Sequence, residues 1–307
     1  MKKSVLVAIL LCPAIALAGA TASKFKKENK LGANYWNAQS AIDGKMETAW
    51  MVPGDSANLG EWIMLDLPKG NLDKVAIVPG WAESDESWTD YPRIKKLKLD
   101  LYCCTDSDKM DTTFTTTIDL ADQPGVQVVD VEDAVIGNEL FGGKLKLSVV
   151  EIYPGADFSN ASISELTIYL KEFDAPVTLS DASGESEGHI LPDMTDKNPK
   201  TFWAAPVAGA GFSFEASGYG LSSIQITHGP KEYARAKTVR ITANGRSSEA
   251  EIPDKPGAWP VLIPAVTGYT GSAWGTVKVE VIDTYPGTKP ELAIAEMVAK
   301  ATNYEGI

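Results

Sequence analysis

Histidine and cysteine are scarce in this chain: 307 residues include two of the former and three of the latter. That shortage removes most of the side chains used for nucleophilic catalysis and for zinc. Neither His189 nor His228 sits beside a plausible Ser or Cys nucleophile, and no Cys/His spacing suits zinc. A glycine-rich phosphate loop is missing too. Positive charge is short, with 28 Lys and Arg against 41 Asp and Glu, and the basic residues are scattered. This argues against nucleic acid and anionic membrane as partners. After the first twenty or so residues no apolar run is long enough to cross a bilayer, so membrane insertion is not expected.

The one apolar run, Val5 to Leu17, follows Met1-Lys2-Lys3 and ends at Ala16-Leu17-Ala18 and Ala18-Gly19-Ala20. A charged start, a short hydrophobic stretch and small residues at a cleavage point describe a secretory signal peptide over residues 1–20. The mature chain then begins at Gly19 or Thr21, in the periplasm or outside the cell, and Cys12 leaves with the signal. Cys103 and Cys104 remain, at the end of an alternating run in which Leu97, Leu99 and Leu101 share one face. Export favours oxidation. Adjacent α-carbons are only about 3.8 Å apart, however, and an ordinary bridge wants at least roughly 4.4 Å. A vicinal disulfide and a buried thiol beside an exposed one both remain open.

The rest of the chain is one module written twice. Tyr153-Pro154-Gly155 followed by Ile163-Ser164-Glu165-Leu166 returns as Tyr285-Pro286-Gly287 followed by Ile294-Ala295-Glu296-Met297. Asp43, Thr48 and Trp50 return at identical spacing as Asp196, Thr201 and Trp203, and Tyr91-Pro92-Arg93 as Tyr233-Ala234-Arg235. Three blocks in one order, at a separation far above a solenoid repeat, mean tandem domains. The division reads 21–172 and 173–307, with Glu172 to Pro176 as the linker.

Short apolar or alternating segments punctuated by Gly and Pro fill both copies: 61–67, 74–78, 93–101, 126–131, 144–152 and 162–170, then 211–216, 221–227, 238–243, 249–252 and 276–282. Such segments, with no convincing long helix, predict an all-β chain of β-sandwiches. Asn244-Gly245 signals a hairpin. Glu291 to Ala301 is rich in Ala, Glu and Lys and reads helical by propensity. The repeat demands a strand there, and the repeat takes precedence.

Asp43-Gly44 with Thr48-x-Trp50, then Gly60-Glu61-Trp62-Ile63-x-Leu65, resembles the discoidin (factor V/VIII type C) family. The later Tyr-Pro-Gly and Ile-Ser-Glu-Leu block is similar to its branch of glycan-binding domains that accompany secreted bacterial NAD glycohydrolases. The resemblance covers nearly all of the first copy and, more weakly, the second. It implies two tandem discoidin-like jelly-roll β-sandwiches, each with a structural calcium ion. Calcium takes about six to eight hard oxygens, mixing carboxylates and carbonyls. In the first copy these would come from Asp43, the carbonyl of Lys45, Thr48, the carbonyl of Ser164 and Glu165. The matching set in the second is Asp196, Asn198, Thr201, Ala295 and Glu296. Taken singly, each residue reads as an Asx turn or a solvated glutamate; retention of Asp, Thr and Glu in two diverged copies favours metal.

The copies differ most between the Gly80 and Tyr91 positions. Copy one inserts Trp81-Ala-Glu-Ser-Asp-Glu-Ser-Trp88-Thr-Asp90, whereas only Pro230-Lys231-Glu232 separates Gly229 from Tyr233. Indole faces suit the C–H face of a sugar ring, and carboxylates and Arg suit its hydroxyls. Trp81 and Trp88 are the candidate platforms, with Tyr91 and Arg93 at their base; a loop folding its tryptophans into a local core is the competing reading. The sequence thus describes an exported, non-enzymatic protein that binds a glycan or glycoconjugate through its first copy. The alternative is a structural or adhesive cell-envelope protein with a protein partner. A hydrolase using paired carboxylates ranks third, because such chemistry usually needs a deeper cleft than a sandwich of this size builds.

Overall fold

A computed structural model describes residues 19–27, 30, 32, 34–54, 58–103, 111–137, 142–217, 219–263 and 275–304. Most of the expected signal peptide, Cys12 and Cys104 lie outside the described residues. Cys103 is disulfide-bonded.

The first half contains β1 (Ala20–Ala22), β2 (Trp50–Met51), β3 (Trp62–Leu67), β4 (Gly70–Val78), a short helix α1 (Asp85–Asp90), β5 (Arg93–Cys103), β6 (Asp111–Asp119), β7 (Gln127–Ile136), β8 (Gly143–Tyr153), β9 (Ser162–Ile163) and β10 (Glu165–Leu170). One sheet runs β1-β3-β8-β5-β9-β2 with β6 beside β5, and the facing sheet runs β10-β4-β7. Alternation explains the layers. Leu97, Leu99 and Leu101 of β5 are fully buried, as are Ile63 and Leu65 of β3, and they meet Val75 and Ile77 of β4 and Ile168 of β10 in one core. Successive side chains of a strand point to opposite faces, so each alternating segment buries one row.

The second half contains β11 (Phe173–Ala175), β12 (Thr178–Ser180), β13 (Trp203–Pro206), β14 (Gly211–Glu215), β15 (Tyr219–His228), β16 (Arg235–Ala243), β17 (Arg246–Glu251), β18 (Ala258–Leu262), β19 (Val277–Tyr285) and β20 (Glu291–Tyr304). Its sheets run β12-β14-β19-β16-β17 and β11-β20-β15-β18, with β13 also on β20. Position by position, β14-β19-β16-β17 repeats β3-β8-β5-β6, and β20-β15-β18 repeats β10-β4-β7. A second core, from Ala175 to Ala301, is distinct from the first, which ends at Leu170. The chain is therefore all-β, built as two jelly-roll sandwiches of the same strand order.

Several expectations need qualification. Glu291 to Ala301 is indeed strand: β20 pairs with β15 on one side and with β11 and β13 on the other. Leu292, Ala293 and Ile294 are fully buried, and that two-sided pairing overrides the propensity of its alanines. The segment expected to be a linker is not one. Phe173–Ala175 forms β11, so only Lys171 and Glu172 separate it from β10, and the Lys171 amide bonds to the Asn71 carbonyl. The inserted loop contains α1, capped by the Ser84 hydroxyl accepting from the Ser87 amide. Asn244 and Gly245 both have positive φ and close the β16–β17 hairpin.

The repeated Tyr-Pro-Gly has a steric cause. A Cβ on Gly155 would lie 2.3 Å from the Asp90 carbonyl oxygen and 2.6 Å from the Tyr91 carbonyl carbon, and one on Gly287 would lie 2.3 Å from the Tyr233 carbonyl carbon. Each loop lies flat on the backbone that leads into the central strand. Gly155→Ala and Gly287→Ala are each expected to cost about 1–3 kcal/mol, the usual range for overpacking. A denaturant midpoint unchanged by both substitutions would show that these loops yield freely.

Candidate functional site

The Asp43–Thr48 turn is held by its own side chains. Asp43 Oδ1 accepts from the Lys45 amide at 3.0 Å, and Thr48 Oγ1 lies 2.8 Å from that oxygen and 3.2 Å from the Lys45 carbonyl. Glu165, the first residue of β10, reaches the turn and accepts from the Gly44 amide at 3.0 Å. Ser164 makes this possible by interrupting the strand. Its amide points at the Val78 and Gly80 carbonyls, and its buried hydroxyl accepts from Ala82 N and donates to the Met46 carbonyl.

The second sandwich builds the same turn. Asp196 accepts from the Asn198 amide at 2.8 Å and from Thr201 Oγ1 at 2.8 Å, while that hydroxyl lies 2.7 Å from the Asn198 carbonyl. The Asn198 side chain accepts from Lys200 N. Gly44 and Lys197, at matching positions, both have positive φ. Ala295 is buried, and Glu296 follows it as Glu165 follows Ser164.

Electrostatics single out these turns. Burial, aided by the nearby Asp43 charge and opposed by the Gly44 amide, raises the Glu165 carboxyl to about 7. Burial raises Glu296 as well, with Asp196 as the repelling charge. Each turn thus concentrates two carboxylates, a hydroxyl and carbonyls; in the second, the Lys197 charge partly offsets the pair. No group of three or more His, Cys, Asp and Glu assembles among the described residues; a hydroxyl and backbone carbonyls stand beside the two carboxylates of each turn.

Beside the first turn lies an arc of aromatic rings. Tyr35 meets Trp36 edge-on at 4.5 Å, Trp36 meets Trp81 at 5.1 Å, Trp81 meets Tyr91 at 5.0 Å, and Tyr91 stacks on Phe158 at 4.2 Å. Lys26 Nζ stands 5.5 Å from the Trp36 ring centre and 5.9 Å from that of Tyr91. Trp81 Nε1 donates to the Glu47 carbonyl, which ties the arc to the acidic turn. Phe158 is 47% exposed. Trp36 Nε1 is buried with no hydrogen-bond partner, which is a costly condition for an indole N–H. Tyr35 feels Glu83, Asp43 and Glu47, whose charges add to burial in raising its phenol.

Of the four side chains selected from the sequence, Trp81 and Tyr91 belong to this arc. Trp88 and Arg93 lie beneath it. Trp88, on α1, is 9% exposed and packs over Gly80 and Arg93. Arg93 makes two bonds to Asp122 and further bonds to the Tyr91 and Pro154 carbonyls. Arg235 repeats this on Asp254 and the Lys231 and Tyr233 carbonyls. Both arginines therefore spend their donors inside the scaffold. Sequence reasoning missed Tyr35, Trp36, Phe158 and Lys26. The missed signal was spacing, since Trp36 precedes Asp43 by the same interval at which His189 precedes Asp196.

A carboxyl that binds its proton more tightly in the folded state stabilises the fold most at low pH. The contribution from Glu165 is complete below its ordinary value of 4.5 and is lost as pH rises to about 7. In chelator, wild type should lose stability relative to Glu165→Gln across that window. Parallel stability curves for the two proteins would remove Glu165 as the source.

Residues 15–169 match the family described as NAD glycohydrolase translocation F5/8 type C domain. Among curated proteins none matches. Among solved structures, a family 32 carbohydrate-binding module of Clostridium perfringens NanJ in complex with galactose is 20% identical, covering 51% of this chain and 98% of its own, with a TM-score of 0.36. A fucolectin from striped bass (Morone saxatilis) serum is 13% identical, covering 95% of this chain and 99% of its own, also at 0.36. The arabinofuranosyltransferase AftD from Mycobacteria is 13% identical over 94% of this chain at a TM-score of 0.34, and this chain spans 30% of its length.

Proposed function

Because the chain belongs to the NAD glycohydrolase translocation F5/8 type C domain family, we propose that it is an exported, non-catalytic carbohydrate-binding protein whose first sandwich carries the glycan site. The observation that carries this reading is the aromatic arc with a buried, unpartnered indole N–H beside an acidic turn. Half-open ring faces supply stacking surface, and the surrounding carboxylates and Lys26 supply bonds for hydroxyls. Trp81 and the exposed Phe158 serve as platforms, with Tyr91, 9% exposed and stacked under Phe158, as their base; Trp88 and Arg93 hold the loop that presents them. The copies divide at residues 172 and 173, and the second is a diverged discoidin-like domain.

Export fits the start of the fold. The Gly19 carbonyl accepts from Asp66 N, and Ala20 pairs with Leu65. Cleavage before Gly19 preserves those bonds, whereas cleavage before Thr21 removes them.

A structural calcium ion fits each turn. Asp43, the Lys45 carbonyl, Thr48 and Glu165 converge in hard oxygen chemistry, and the Glu165 carboxyl is raised by burial first and by the Asp43 charge second. The ion would supply the opposite charge and lock β10 to the turn. Native-state ligand at a hundredfold excess over Kd adds about 2.7 kcal/mol. Chelator should therefore lower Tm, and Glu165→Ala combined with Glu296→Ala should remove the effect. A wild-type Tm indifferent to chelator and to added calcium would refute the ion.

The glycan reading is tested on a glycan array with the purified mature chain. Trp81→Ala should weaken any sugar bound by about 2 kcal/mol or more, the usual cost of losing an aromatic anchor. Trp88→Ala should instead lower Tm, as expected for a buried ring. An array without a binder, or one whose signal survives Trp81→Ala and Phe158→Ala, would overturn the assignment.

A further inference from the structure

The second sandwich has a ring cluster in the place of the first one's arc. His189 occupies the position of Trp36, Phe202 that of Ala49, Ala204 that of Met51 and Tyr233 that of Tyr91. The backbone agrees: Ala204 N donates to the His189 carbonyl at 3.3 Å, as Met51 N donates to the Trp36 carbonyl at 3.3 Å. Copy two lacks the inserted loop that carries Trp81, and Phe202 fills the gap. Its ring meets Tyr233 at 5.0 Å, the distance at which Trp81 meets Tyr91.

We infer that this cluster is a second carbohydrate site, for a neutral sugar. The inference rests on the glycan reading of the first sandwich but concerns different residues. His189 stacks on Phe202 at 3.9 Å with 19° between the planes, and both rings are only partly buried. Lys289 Nζ donates to Tyr233 Oη at 2.7 Å, and that hydroxyl lies 3.4 Å from His189 Nε2. A flat apolar face therefore sits beside an ammonium, a phenol and an imidazole, which together donate and accept at adjacent points.

Charge decides the ligand class. Lys289 Nζ already lies 4.1 Å from the Tyr233 ring centre besides donating to its hydroxyl, and that bond, with Glu232 and Glu291 as lesser causes, raises its ammonium, so the cation is already engaged within the cluster. An acidic sugar would find that cation already spent on Tyr233, whereas hydroxyls find both donors and acceptors. The scaffold alone does not require the arrangement. Tyr233 is already buried against Ala204 and Ala293, with Phe202 packed on that cluster, yet His189 and Lys289 stand outside it, Lys289 exposed and touching only the Tyr233 ring and hydroxyl with its ammonium.

With two histidines in the chain, ring proton NMR reports on the cluster directly, and His228, held to the Pro253 carbonyl, serves as an internal reference. The full mature chain is titrated with galactose, N-acetylgalactosamine, glucose and mannose, with glucuronate as the acidic probe. The His189 signals should shift saturably with at least one neutral sugar, His228 should stay fixed, and Trp81→Ala should leave the shift intact. Lys289→Met, at an exposed position, should weaken that shift at least tenfold. If the Trp81 indole signal responds while His189 does not, the second site is wrong and the first stands. A response to glucuronate alone refutes the neutral class, and silence at both positions overturns both sites.

Discussion

In each sandwich one guanidinium ties together the loops at the end of the central strand. Arg93 spans the Asp122 carboxylate and the Tyr91 and Pro154 carbonyls, and Arg235 spans Asp254 and the Lys231 and Tyr233 carbonyls. A planar fork with five donors does this where a lysine could not. The clamp sets where the tyrosine ahead of the central strand points, and Gly155 and Gly287 let the neighbouring loop press against it. Because Tyr91 and Tyr233 anchor the ring clusters, the geometry of both candidate sites descends from these arginines.

The acidic turns act through the same architecture. Ser164 breaks the edge between β9 and β10, delivers Glu165 to the Asp43 turn and fastens Met46 and Ala82 with one hydroxyl. Trp81 then bonds to Glu47 in that turn. A change in the charge balance at Asp43 and Glu165 therefore has a short covalent and hydrogen-bonded route to the aromatic arc. In the second sandwich the route is shorter still, because Phe202 follows Thr201 directly.

Strand layout was legible because burial imposes a period of two: Leu97, Leu99 and Leu101 announce β5 with no help from context. The strand nature of Glu291–Tyr304 was legible only through the repeat, since its local composition says helix. Two features stayed hidden for physical reasons. β6 is a run of threonines paired only with β5 among the described strands, so it lacks the buried row that alternation detects. Trp88 sits among acids in an inserted loop and reads as exposed, but a six-residue helix turns it under the loop. Trp36 was overlooked because it precedes the turn in irregular chain, where no periodicity marks it.

The joint between the sandwiches has its own consequence. Lys171 and Glu172 alone separate β10 from β11, and Lys171 N is already bonded to Asn71; two residues reach at most about 7 Å. A Thr302 carbonyl from β20 also lies against Gly70 at the start of β4. A flexible tether lets paired modules search a volume, and its length sets their effective concentration. This chain has no such tether. Two residues between β10 and β11 leave no slack for such a search.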